Sequence, residues 1–321
     1  MIQHINKKRI LYLDYAKGLG ILLLLLSHSI PGEDYLKTWI FSFHMPIFFY
    51  ICGIVTRIKF DKDSVNIQTH LKNRTRNLII PYFIFGLILI IFYTFLDYQS
   101  GDYVKNFVSR ISNLLYLRGI DSLWFIPIYF FSELVFILTI KKGKKNIYRI
   151  LILLLITIIC FHTHNNVVPQ IKIISIGLVF IIAGYYHKNY FNKLPQIPIL
   201  YFILIIVFFF GAILNGFSSM QKINNAILFF INGIGSSFAI ISLFQILENK
   251  IEPIKRYILF WGTNTLIVLC TNNLIIEIVR LIDWKLTNNI LLYNGYVGHL
   301  IFFLIITIIE IPVIKLLEDK F

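Results

Sequence analysis

Three polar residues interrupt the apolar stretch that begins R-I-L-Y-L-D-Y-A-K-G and continues into a run of leucines: Asp14, Lys17 and His28. On an α-helix each residue turns about 100° and rises about 1.5 Å. Asp14 and Lys17 then stand one turn apart and can pair. The eleven steps from Lys17 to His28 return the histidine to within about 20° of the same face, about 16 Å further along. An ionisable group facing hydrocarbon costs about 3 kcal/mol or more, so this stripe must face protein or water. A second histidine, His44, follows in F-S-F-H-M-P. If one apolar segment crosses a bilayer and the next returns, His28 and His44 lie at matched depth. A neutral imidazole takes the proton from a hydroxyl nucleophile, so His28 reads as a general base for group transfer, with His44 orienting it or stabilising charge. A lone membrane histidine serves equally as a hydrogen-bond partner between helices. Lys17 reads either as half of an ion pair with Asp14 or as a contact for an anionic ligand. Glu133, inside an apolar segment, is a candidate by the same cost argument, or the counter-charge of a cation on another helix. Glu310, before Pro312, is a second such carboxylate with less around it.

The elements that must hold these residues are membrane helices. Hydrophobic residues make up 57% of the 321, charged residues only 14%, and the mean hydropathy is +0.75. A soluble chain cannot cover that much apolar surface. The sequence predicts an all-α, polytopic integral membrane protein with about ten transmembrane helices, as one transmembrane domain over 1–321. The segments are 11–30, 36–56, 78–96, 123–140, 148–163, 170–187, 196–215, 224–247, 257–281 and 291–317. With the N-terminus in the cytoplasm, 22 of the 30 Lys and Arg residues fall on the inner side, as the positive-inside rule requires. Both termini are therefore expected to be cytoplasmic, in a multi-pass protein of the cell membrane. The net charge of +14 reads as this topology signal and not as a nucleic-acid surface. Cys52, Cys160 and Cys270 lie in apolar segments with no pairing or ligand spacing, so neither a disulfide nor a metal site is expected. The N-terminus lacks a cleavage site after its apolar run and is expected to be retained. No phosphate-binding loop, dinucleotide fingerprint or internal repeat occurs.

Two loops carry further signals. Arg57 to Asn77 is basic, and Lys72, Arg74 and Arg76 within it suit a polyanion such as nucleotide phosphates, or serve topology alone. Between Asp97 and Ser122, Val104, Phe107, Val108, Ile111, Leu114 and Leu115 recur at helical spacing and predict an amphipathic surface helix. Trp39 and Trp124 fit an interfacial aromatic belt.

The run L-D-Y-A-K-G-L-G-I, then His28, then F-S-F-H-M-P-I-F-F-Y-I-C-G resembles the start of the membrane acyltransferase-3 family. That family carries a basic residue eleven positions before a histidine in its first span, as Lys17 and His28 do here. R-N-L-I-I-P-Y at Arg76–Tyr82, L-W-F-I-P at Leu123–Pro127 and G-T-N-T-L at Gly262–Leu266 resemble later family segments. The resemblance implies a ten-helix fold, an acetyl- or other acyl-coenzyme A donor on the cytoplasmic side and a cell-surface carbohydrate acceptor. The coenzyme phosphates would rest on Lys72, Arg74 and Arg76, with Lys17 below the arm that runs toward His28. The chain departs from the family where a late Tyr and His are common, having Leu269 and Asn272. No hydrolase-like domain follows the last segment, so transfer is expected to finish in the membrane or on a separate protein. Two functions compete: an O-acyltransferase for a surface polysaccharide, and a transporter or flippase for a glycan or lipid-linked sugar whose path the polar stripe would line. The acyl group, the sugar and the oligomeric state stay open at this stage.

Overall fold

A computed structural model describes residues 9–62, 66–98, 102–140, 147–162, 169–248, 252–288 and 295–319. It is 86% helical, and no strand occurs among the described residues. The helices in chain order are α1 (Leu11–Ser29), α2 (Tyr35–Phe43), α3 (Pro46–Lys62), α4 (Ile67–Arg74), α5 (Ile80–Asp97), α6 (Tyr103–Leu115), α7 (Phe125–Thr139), α8 (Ile147–His162), α9 (Pro169–Tyr185), α10 (His187–Phe191), α11 (Pro198–Asn215), α12 (Ala226–Leu247), α13 (Glu252–Thr263), α14 (Thr265–Thr287) and α15 (Gly295–Leu317). Among the described residues, eight helical stretches are long and apolar enough to cross a membrane, and Ile147–Ile159 and Gln170–Tyr185 are shorter apolar helices.

The second and ninth predicted segments are each broken, and the breaks matter. Pro46 has no N–H to continue the ladder begun by α2, so a new helix starts there with proline in its first turn. The joint places His44, whose own N–H closes on Ile40 O at 2.9 Å, between α2 and α3. In the ninth segment the chain interrupts at Asn264, whose side chain donates to Phe260 O at 2.9 Å. Residues 257–263 therefore belong to α13 and the remainder to α14. Close approach of α1 to α13 explains the sequence here: a Cβ on Gly262 would run into Asp14 O, and one on Gly18 into Ile258 O. Gly53 and Gly184 make the same kind of approach between α3 and α9, against Ile181 O and Tyr50 O.

The predicted surface helix is α6. Leu114 is buried over Gly86 of α5, whereas Val104, Val108 and Leu115 are more than half exposed. Cys52 and Cys270 are buried free thiols. The side chain of Cys160 lies outside the described residues.

Candidate functional site

The fold brings His28 and His44 to one cavity. α1 ends at Ser29 and α2 begins at Tyr35, so His28 in the last turn of one helix and His44 just past the other reach the same end of the bundle. A cavity of about 440 Å³ opens there, lined by both histidines, by Phe41 and Trp124, and by the charged residues Arg118, Asp121, Glu277 and Arg280. Pockets of this size take small ligands or one end of a larger one.

The two imidazoles are held differently. His44 is buried, and its Nδ1 lies 2.8 Å from Ile40 O. A carbonyl can only accept, so Nδ1 carries the proton and Nε2 keeps the lone pair. Neither ring nitrogen of His28 is hydrogen-bonded among the described residues. The His28 and His44 rings both meet the Phe41 ring edge-on, with centroids 6.5 and 4.9 Å away. Arg280 reaches the backbone O of His28 at 3.4 Å and pairs with Glu277 at 2.7 Å.

The other predicted residues lie elsewhere. Asp14 and Lys17 form the expected pair at 2.5 Å, near the opposite end of α1. The face between Lys17 and His28 is closed, since Ile21 and Leu24 on it are fully buried in the core. Glu133 neutralises a cation from another helix: its Oε1 accepts from Arg74 Nε at 3.1 Å and Nη2 at 2.8 Å. His70 Nε2 stands 3.2 Å from the same oxygen, off the hydrogen-bond line. A π-helical turn, Thr75–Ile79, follows Arg74 and leads into Pro81. Such turns are frequent at functional sites, and here Arg74 is half-buried while Lys72 and Arg76 stay exposed. The three basic residues are thus one half-buried cation and two exposed ones. Glu310 is fully buried and accepts from Thr271 Oγ1 at 3.0 and 3.2 Å. Among the described residues no cluster of His, Cys, Asp and Glu could hold a metal.

Residues 10–314 match the family model described as an acyltransferase domain. The chain belongs to the acyltransferase-3 family. No curated protein and no solved structure matches it. Family membership makes the chain a membrane acyltransferase. Asn272 of this acyltransferase is fully buried and accepts from Ser122 Oγ at 3.1 Å. That bond ties α14 to the turn before α7, in the cavity wall.

The sequence missed the charged part of that wall. Glu277 and Arg280 offered a signal, because two charges one turn apart inside an apolar segment meet the criterion that singled out Glu133. Arg118 and Asp121 gave none, because a turn between helices shows which side it faces only once the helices are packed.

Proposed function

We propose that this acyltransferase moves an acetyl group from cytoplasmic acetyl-coenzyme A, or another acyl group from its coenzyme A thioester, to a hydroxyl of a cell-surface glycan. The observation that carries the reading is the meeting of His28 and His44, with available ring nitrogens, in a polar cavity at one end of a membrane helix bundle. His28 takes the hydroxyl proton as the oxygen attacks the thioester carbonyl. The carbon–sulfur bond then breaks, and the imidazolium returns the proton to the departing thiolate, so protons and charge balance. His44, its lone pair fixed on Nε2, is the second base in reach. The donor enters from the end that carries α4, and its thioester reaches His28 only if the packed Ile21 and Leu24 face opens. The protein is multi-pass in the cell membrane with both termini in the cytoplasm, as its charge distribution supports.

Membrane vesicles of defined sidedness test donor, acceptor and orientation together. Radiolabelled acetyl-coenzyme A should label glycan hydroxyls only when it reaches the face carrying α4. Glycan crossing the membrane without label would instead identify a flippase. A complementary expectation concerns the two exposed cations. Changing Lys72 and Arg76 together to glutamine should weaken donor binding several-fold at low salt and less at high salt, because exposed charge–phosphate attraction is screened. Titration of the purified protein with acetyl-coenzyme A at two ionic strengths measures it. Unchanged affinity at both would leave these residues a topological role alone.

A further inference from the structure

The cavity wall that faces the histidines is built on constrained backbone. From the end of α6 into the short 3₁₀ turn Asp121–Trp124, three residues have left-handed φ: Leu117 at 57°, Gly119 at 76° and Asp121 at 48°. This region is disfavoured for leucine and tolerated better by aspartate. Glycine suits the middle position twice over, since a Cβ on Gly119 would run into the backbone N and Cα of Trp124. The surroundings fix the turn. The Tyr82 hydroxyl, fully buried on α5, donates to Leu114 O at 2.9 Å and accepts the Gly119 N–H at 3.2 Å. Unfavourable backbone held by such bonds is characteristic of binding sites, and here its product is the placement of Asp121.

Asp121 is exposed, at the cavity wall. Tyr93 donates its hydroxyl to Oδ2 at 2.5 Å, and Oδ1 has no partner among the described residues. Neither nearby arginine neutralises the carboxylate, for Arg118 lies over the Tyr116 ring and Arg280 is paired with Glu277. A carboxylate oxygen only accepts hydrogen bonds, so a ligand meeting it must bring donors. Hydroxyl groups do; a carboxylate or phosphate at that position would be repelled.

We propose that Asp121 is a specificity-determining residue for the acceptor. It receives a hydroxyl of a polyhydroxylated substrate, un-ionised at that position, and so presents another hydroxyl to His28. The inference rests on the acyl-transfer reading but is testable apart from it.

Asp121→Asn is nearly isosteric, tolerates the left-handed backbone and still accepts from Tyr93, but carries no charge. The probe is an oligosaccharide mixture released from the native surface glycan and freed of acyl groups by alkali. Binding to purified protein is measured without any donor. Charge-assisted hydrogen bonds exceed neutral ones, so Asp121→Asn should weaken binding about tenfold or more and raise the acceptor KM in parallel, with kcat within a few-fold and the donor KM unchanged. Asp121→Ser, which removes the charge with a different shape, should show the same loss. Wild-type affinity in either folded variant would overturn the proposal and leave Asp121 as the acidic residue of a helical first turn. Asp121-dependent glycan binding by a protein that transfers no acyl group would overturn the acyl-transfer reading alone.

Discussion

His28→Ala is expected to lose most transfer activity, about 10²–10⁴-fold, the usual contribution of general-base assistance, while the protein still inserts and still binds its donor. The expectation follows from how the side chain is held. No ring nitrogen of His28 is hydrogen-bonded among the described residues, and its ring meets that of Phe41 edge-on. Removing it breaks no polar contact, so the melting temperature should barely move and a fall in rate can be assigned to chemistry. His28→Asn sharpens the test, because an amide can hydrogen-bond but cannot take a proton at neutral pH. Turnover, donor binding and thermal unfolding of both variants give the answer. Near-normal turnover in His28→Asn would shift the base to His44. That residue cannot be read so simply. Its Nδ1–H is bound to Ile40 O, so His44→Ala exposes an unpartnered carbonyl as well as removing a base.

The contrast shows what the sequence could and could not disclose. Helical spacing is local, so the Asp14–Lys17 pair could be anticipated from the stretch itself. The convergence of His28 and His44 needed only one further step, the antiparallel return of the next segment. Glu277 and Arg280 were legible in type but not in destination, since Arg280, paired with Glu277, donates to His28 O across 252 residues of chain. Asp121 depends on a turn whose left-handed backbone is set by Tyr82 and Gly119 acting together. The break at Asn264 falls in the polar run G-T-N-T at Gly262–Thr265, which shows that the segment is interrupted but not that the Asn264 side chain bonds back to Phe260 O. For Arg74 the sequence showed a basic loop. Its half-buried position goes with its bonds to Glu133 on α7, which is not local to the K-N-R-T-R run.

Glu133→Ala is the change expected to cost most in stability. The carboxylate is buried, and the Arg74 side chain bonded to it is 28% exposed. Removing the carboxylate leaves a partly solvated arginine without compensation, at about 3 kcal/mol, the lower end of the range for buried pairs. Arg74→Met should be comparably harmful for the mirror reason. The double variant Arg74→Met with Glu133→Leu removes both charges and fills their volume, so it should recover most of the loss, since well-packed apolar replacements of buried pairs are often neutral or better. Coupling between the two sites, read from thermal unfolding of the four proteins in detergent, should then be large and favourable. The same set decides whether Glu133 does chemistry. As a structural anchor it leaves the double variant folded and within a few-fold of wild-type transfer. A folded but inactive double variant would instead mean that the carboxylate, or the arginine it holds, meets the reacting groups. That would require α4 and α7 to shift toward the His28 cavity during turnover, because Glu133 sits about two and a half helical turns along α7 from the Trp124 wall.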